Sequence, residues 1–94
     1  MKKTEKEVYE GILEKYNYQC ALCGFNQVHL HHIFGGKNRK KSTIFGYIVP
    51  LCEKHHRWVH NTNYQVFKKE AQREFEKEHT REEFIRVFGR NYLE

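Results

Sequence analysis

The stretch Leu51-Cys52-Glu53-Lys54-His55-His56-Arg57-Trp58-Val59-His60 holds a C-x2-H pair and two further histidines within ten residues. Upstream, separated by 28 intervening residues, stands a C-x2-C pair, Cys20-Ala21-Leu22-Cys23. Four soft or borderline donors in two close pairs suit a tetrahedral zinc ion, because one turn of backbone can present both donors of a pair to the same ion. Three cysteines cannot all pair within one chain, so a metal explains them better than a disulfide framework. On a helix running from about residue 53 to 60, His56 and His60 share a face, while His55 points about 100° away from His56. One helix can therefore serve two sites.

Working outward, residues 27–34 are rich in β-branched, aromatic and histidine residues with polar/apolar alternation, and read as a strand that Gly35-Gly36 ends. Adjacent side chains on a strand leave on opposite faces, so His31 and His32 look to different sides and one can bind an ion while the other faces a substrate. Residues 37–42, Lys-Asn-Arg-Lys-Lys-Ser, read as a basic loop or turn, and residues 44–51 as a second strand with Pro50 near its end. At the N-terminus, Thr4 and Glu7 have the form of a capping box opening a helix to about Tyr16, with Val8, Ile12 and Tyr16 on one face. After the polar break Asn61-Thr62-Asn63, the stripe Tyr64, Phe67, Ala71 and Phe75 predicts a longer amphipathic helix. Thr80 with Glu83 then opens a short helix that carries Phe84, Val87 and Phe88 and stops at Gly89.

The chain is a single domain of 94 residues with a formal net charge of +5. Both flanks are neutral: residues 1–19 hold four lysines and four glutamates, and residues 61–94 seven basic and seven acidic side chains. The whole excess lies between Cys20 and His60, where Lys37, Arg39, Lys40, Lys41, Lys54 and Arg57 face one acid, Glu53. All three cysteines and every histidine except His79 lie there too. No apolar stretch reaches the roughly 20 residues that cross a bilayer, and the Lys-rich start is followed by no apolar run, so the chain reads as soluble and cytosolic. An apolar fraction of 38% is thin for so short a chain, and a bound zinc would supply folding free energy that the core lacks. His29, on the same strand face as His31, reads as a polar surface residue with a ligand role left open; His79 reads as a solvated helix end.

The order Cys20-x2-Cys23, His31-His32-Ile33, Gly35-Gly36, Leu51-Cys52-x2-His55-His56-x3-His60 resembles the HNH, or ββα-metal, endonucleases. The run from His31 to Ser42, together with Phe88-Gly89-Arg90-Asn91-Tyr92-Leu93, is similar to small phage or prophage members, including the recombination-enhancement type that depends on a recombinase filament. The resemblance implies an α+β fold. A zinc-stabilised ββα-metal core at about residues 20–60 would be flanked by an N-terminal helix and a helical extension over residues 64–94. It also implies a second, catalytic divalent ion (Mg2+, Mn2+, Ni2+ or Zn2+) on His31, His56 and His60, and His32 as general base in phosphodiester hydrolysis. The motif's middle asparagine falls at Tyr47, with Asn38 in the intervening loop as a substitute.

Lys37, Arg39, Lys40 and Lys41, next to the glycine pair, and Arg57 on the site-bearing helix are the residues expected to meet a DNA backbone. Phosphate contacts give affinity and register without choice of sequence. Of the aromatics that could stack on bases, Phe34, Phe45 and Trp58, most are expected in the core. Two other functions stand beside the nuclease: a non-catalytic zinc-stabilised nucleic-acid-binding module, and a zinc-sensing or redox-labile adaptor.

Overall fold

The computed structural model describes residues 4–93, so the Lys-rich start Met1-Lys2-Lys3 lies outside the described residues. The fold is α+β. The order is α1 (Glu5–Lys15), β1 (His29–His32), a 3-10 turn (Gly36–Asn38), α2 (Arg39–Phe45), β2 (Ile48–Leu51), α3 (Glu53–Asn61), α4 (Val66–Phe75) and α5 (Arg81–Phe88). Both capping boxes form. Thr4 Oγ1 accepts from Glu7 N at 3.2 Å while Glu7 Oε1 accepts from Thr4 N at 3.0 Å, and Thr80 and Glu83 repeat the exchange at α5. Among the described residues, no helix is long and apolar enough to cross a membrane.

β1 and β2 pair antiparallel, His29 opposite Leu51 and His32 opposite Ile48. Pro50 is tolerated because a two-stranded sheet has only edge strands, and its carbonyl accepts from Ala21 N at 2.9 Å, which ties the C-x2-C loop to β2. Two four-residue strands are not stable alone. They are covered by α3, which packs on both, and by α1, which packs on β2 and α2.

The second strand is shorter than the sequence predicts, and the basic stretch is not a loop. Arg39–Phe45 is helical and turns into β2 through Gly46, whose φ of +75° suits glycine. Two tertiary facts favour the helix over strand propensity. Ser42 is fully buried, its Oγ accepting from Phe34 N at 2.9 Å and donating to Phe34 O at 2.8 Å, so it completes the backbone bonds of Phe34, two residues past the end of β1. Ile44 and Phe45, whose strand propensity drove the expectation, are 61% and 40% exposed and carry no sheet face.

Phe34, Phe75, Phe84 and Phe88 give the core an aromatic cluster beside the aliphatic Ile33, Val49, Leu51 and Val59. The Phe34 ring centroid lies 4.5 Å from that of Phe88, 5.5 Å from Tyr92, 5.8 Å from Phe84 and 6.0 Å from Tyr47. Tilted and edge-on pairs of this kind add attraction beyond their buried area. Buried Gln72 of α4 holds the last segment: its Nε2 donates to Asn91 Oδ1 at 2.7 Å and its Oε1 accepts from Tyr92 N at 2.8 Å. The C-terminal residues are thereby folded back against α4 and Phe34.

Candidate metal centres and the histidine cavity

Cys20 and Cys23 sit on a tight loop closed by Cys20 N to Phe25 O and Gly24 N to Cys20 O, both 2.8 Å, with Gly24 at φ +79°. Cys52 is the N-cap of α3, its Sγ accepting from His55 N at 3.5 Å. These local structures bring one donor atom from each of Cys20, Cys23, Cys52 and His55 within 4.8 Å of one another. Cys23 Sγ is 3.7 Å from Cys52 Sγ, and His55 Nδ1 is 3.3 Å from Cys52 Sγ and 3.8 Å from Cys20 Sγ. A tetrahedral ion bonded at about 2.3 Å to sulfur and about 2.0 Å to nitrogen separates its donors by roughly 3.3–3.8 Å. The donor set therefore fits zinc. The buried Cys20 thiol is drawn down to about 6: burial alone would push it up, and hydrogen bonds from the backbones of Cys52, Leu22 and Cys23 outweigh that. At Cys20, the thiolate form that a metal requires is favoured before any ion arrives.

On the other side of α3, His31, His56 and His60 form a second donor set, their nitrogens again within 4.8 Å of one another. His56 Nε2 and His60 Nε2 are 3.2 Å apart, and the His31 ring lies 5.2 Å from that of His56 and 5.3 Å from that of His60. Burial, with the neighbouring His56 and His60, pulls His31 down to about 4. Burial and His60 lower His56 in the same sense. Neutral imidazoles are the form that can donate a lone pair to a metal. His29 is exposed and stacks on His56 at 6.2 Å, outside both donor sets. His79 is exposed, 3.5 Å from Glu83 at the start of α5.

His32 leaves β1 on the face opposite His31 and points toward α1, where its Nε2 is 3.3 Å from Tyr9 Oη. Tyr9 donates its one hydroxyl proton to Glu5 Oε1 at 2.8 Å. Its oxygen is then an acceptor for His32 Nε2–H, which leaves Nδ1 with the free lone pair. Burial, followed by the nearby Arg39 charge, lowers the His32 pKa, so this ring too is neutral at neutral pH. His31, His32 and His60 together line a cavity of about 240 Å3 that also meets Gly35, Asn63, Tyr64, Phe67 and Lys68.

Tyr9 is a site residue that sequence reading missed. The only local sign is its i,i+4 relation to Glu5 on α1; the partner, His32, is 23 residues away. The residues proposed to replace the motif asparagine lie elsewhere. Tyr47 is packed against Phe34, Phe45 and Phe88, and its phenol is pushed up to about 12 by burial. Asn38 Nδ2 donates to Phe88 O at 2.9 Å, and its buried Oδ1 has no partner among the described residues.

Of the cations, Lys37, Arg39 and Lys40 are exposed on the turn and α2. Lys41 is half-buried and donates to Val87 O at 2.6 Å, tying α2 to the end of α5. Arg57 is exposed and pairs with Glu53. Phe34 is buried, whereas Trp58 is 43% exposed with its ring 5.0 Å from Tyr64. No family model, curated protein or solved structure matches this chain. Fold and site define a small α+β chain with two clustered donor sets, the cysteine-rich one able to hold a metal such as zinc.

Proposed function

We propose that the chain is a metal-dependent endonuclease of the HNH type that hydrolyses phosphodiester bonds in DNA, with a structural zinc on Cys20, Cys23, Cys52 and His55. The observation that carries this reading is the disposition of two adjacent histidines. His31 joins His56 and His60 on one side of β1, His32 leaves on the other toward Tyr9, and both residues border one cavity.

His31, His56 and His60 would hold a divalent ion, which when bound stabilises negative charge on the phosphoryl and departing oxygens. His32 works as general base. Its Nδ1 takes a proton from a water molecule, the water oxygen bonds to phosphorus, and the bond from phosphorus to the leaving oxygen breaks. Tyr9 holds the His32 ring and its tautomer, with Glu5 behind it. Arg39, close enough to His32 to lower its pKa, supplies positive charge beside the base. Lys37 and Lys40, exposed near by, extend that charge along a DNA backbone.

A second reading, the non-catalytic zinc-stabilised nucleic-acid module, draws on the engagement of His32 Nε2 by Tyr9, which would equally suit a purely structural ring. Nicking of supercoiled plasmid with Mg2+, Mn2+ and Ni2+ in parallel separates the two. The endonuclease reading expects divalent-ion-dependent open circles with at least one ion. Plasmid binding without nicking under all three favours the second.

A further inference from the structure

The neutral C-terminal flank is not neutral where it meets the histidine cavity. Lys68 of α4 lines that cavity with His31, His32 and His60. It is half-buried, and its Nζ lies 5.4 Å from the centroid of the Tyr92 ring. The Arg90 guanidinium stands 4.9 Å from the centroid of the same ring. Neither cation has an ion pair with a carboxylate among the described residues. Three acids of this flank are engaged elsewhere: Glu76 with Gln72 and Arg81, Glu74 with Lys77, and Glu83 with Thr80 and His79. Two like charges against one ring, one of them partly withdrawn from water, repel each other and have no carboxylate partner among the described residues. Tyr92 is held there by its N–H bond to buried Gln72, so the arrangement is fixed by the core rather than by chance on the surface.

We propose that Lys68, with Arg90 outside it, forms an anion subsite that holds a phosphate of a nucleic-acid strand next to the His31, His56 and His60 cluster. The class of ligand rests on the endonuclease reading, but the contact between ammonium and phosphate does not require cleavage. Lysine suits the position as a compact point charge that can follow a phosphate oxygen.

The test is binding of a 16-base-pair duplex by fluorescence anisotropy, using the zinc-loaded chain without added Mg2+, between 50 and 200 mM salt. Each phosphate contact adds about 0.9 to the slope of log K against log salt concentration. Lys68→Gln and Lys68→Met are expected to lower the slope by about 0.9, the methionine keeping the apolar stem against Tyr92, while Lys68→Arg retains it. Lys77→Gln, which removes an exposed cation already paired with Glu74, is expected to leave the slope unchanged. An unchanged slope in both Lys68 variants, an equal fall in Lys77→Gln, or no duplex binding by the parent chain would each overturn the proposal. A chain that binds with this Lys68 dependence yet nicks nothing upholds the subsite while sinking the endonuclease reading.

Discussion

Consider the replacement of Cys20 by alanine. Cys20 is 4% exposed and sits in a loop tied to β2 by the bond from Ala21 N to Pro50 O, while its three donor partners lie in the same loop and at the first turn of α3. The four-donor site is thus the main fastening between the loop and the helix that carries His56 and His60. A 94-residue domain is stable by about 5–14 kcal/mol at the usual 0.05–0.15 kcal/mol per residue. Structural zinc contributes an apparent ~10–16 kcal/mol in small finger peptides near neutral pH. Losing a bound ion would therefore cost about as much as the whole fold holds. Cys20→Ala, or chelation of the parent chain, is expected to abolish the cooperative thermal transition in circular dichroism, with zinc content measured on the same samples. His56→Ala is expected to keep both the tight zinc and the transition. A zinc-free chain that melts within roughly 2 °C of the loaded one would refute the reasoning, and loss of the tight zinc in His56→Ala would show the donors to be wrongly divided.

Tyr9→Phe keeps the ring but removes the oxygen that receives His32 Nε2–H; a bond of about 1 kcal/mol is at stake, so nicking kcat is expected to fall about fivefold with little change in KM. An unchanged kcat would mean that Tyr9 does not orient the base. Ser42→Ala strands both backbone groups of Phe34 and is expected to destabilise by about 2 kcal/mol, read as a fall of roughly 10 °C in Tm. His31 is held at about 4 when folded against an ordinary 6.5, so between these values the unfolded chain binds more protons and stability rises with pH. Taking the pH from 6.5 down to 4 is expected to remove about 3 kcal/mol through His31. Urea denaturation across that range checks this, because His31→Asn should lose this component of the pH slope.

The legible part of the molecule is the part whose chemistry is local. The C-x2-C and C-x2-H pairs each fit within one turn of backbone, so their spacing alone indicates where two donors meet one ion. The capping boxes at Thr4 and Thr80 are likewise three-residue relations. The alternation of His31 and His32 follows from strand geometry. Residues 39–45 were illegible for the opposite reason: Ile44 and Phe45 have strand propensity, and only the burial of Ser42 against Phe34 and the left-handed Gly46 make the segment helical. Tyr9 reaches His32 across 23 residues, and Lys68 reaches the histidine cavity from a flank whose charges cancel in sequence. Such pairings depend on how helices pack, which no short window records.

The most direct test of the central claim is nicking by His32→Ala, assayed on supercoiled plasmid with the divalent ion that supports the parent chain. Zinc content and thermal midpoint are measured on the same preparation. The account predicts loss of nicking with one tight zinc per chain retained and the fold intact. Full nicking by that variant would contradict it.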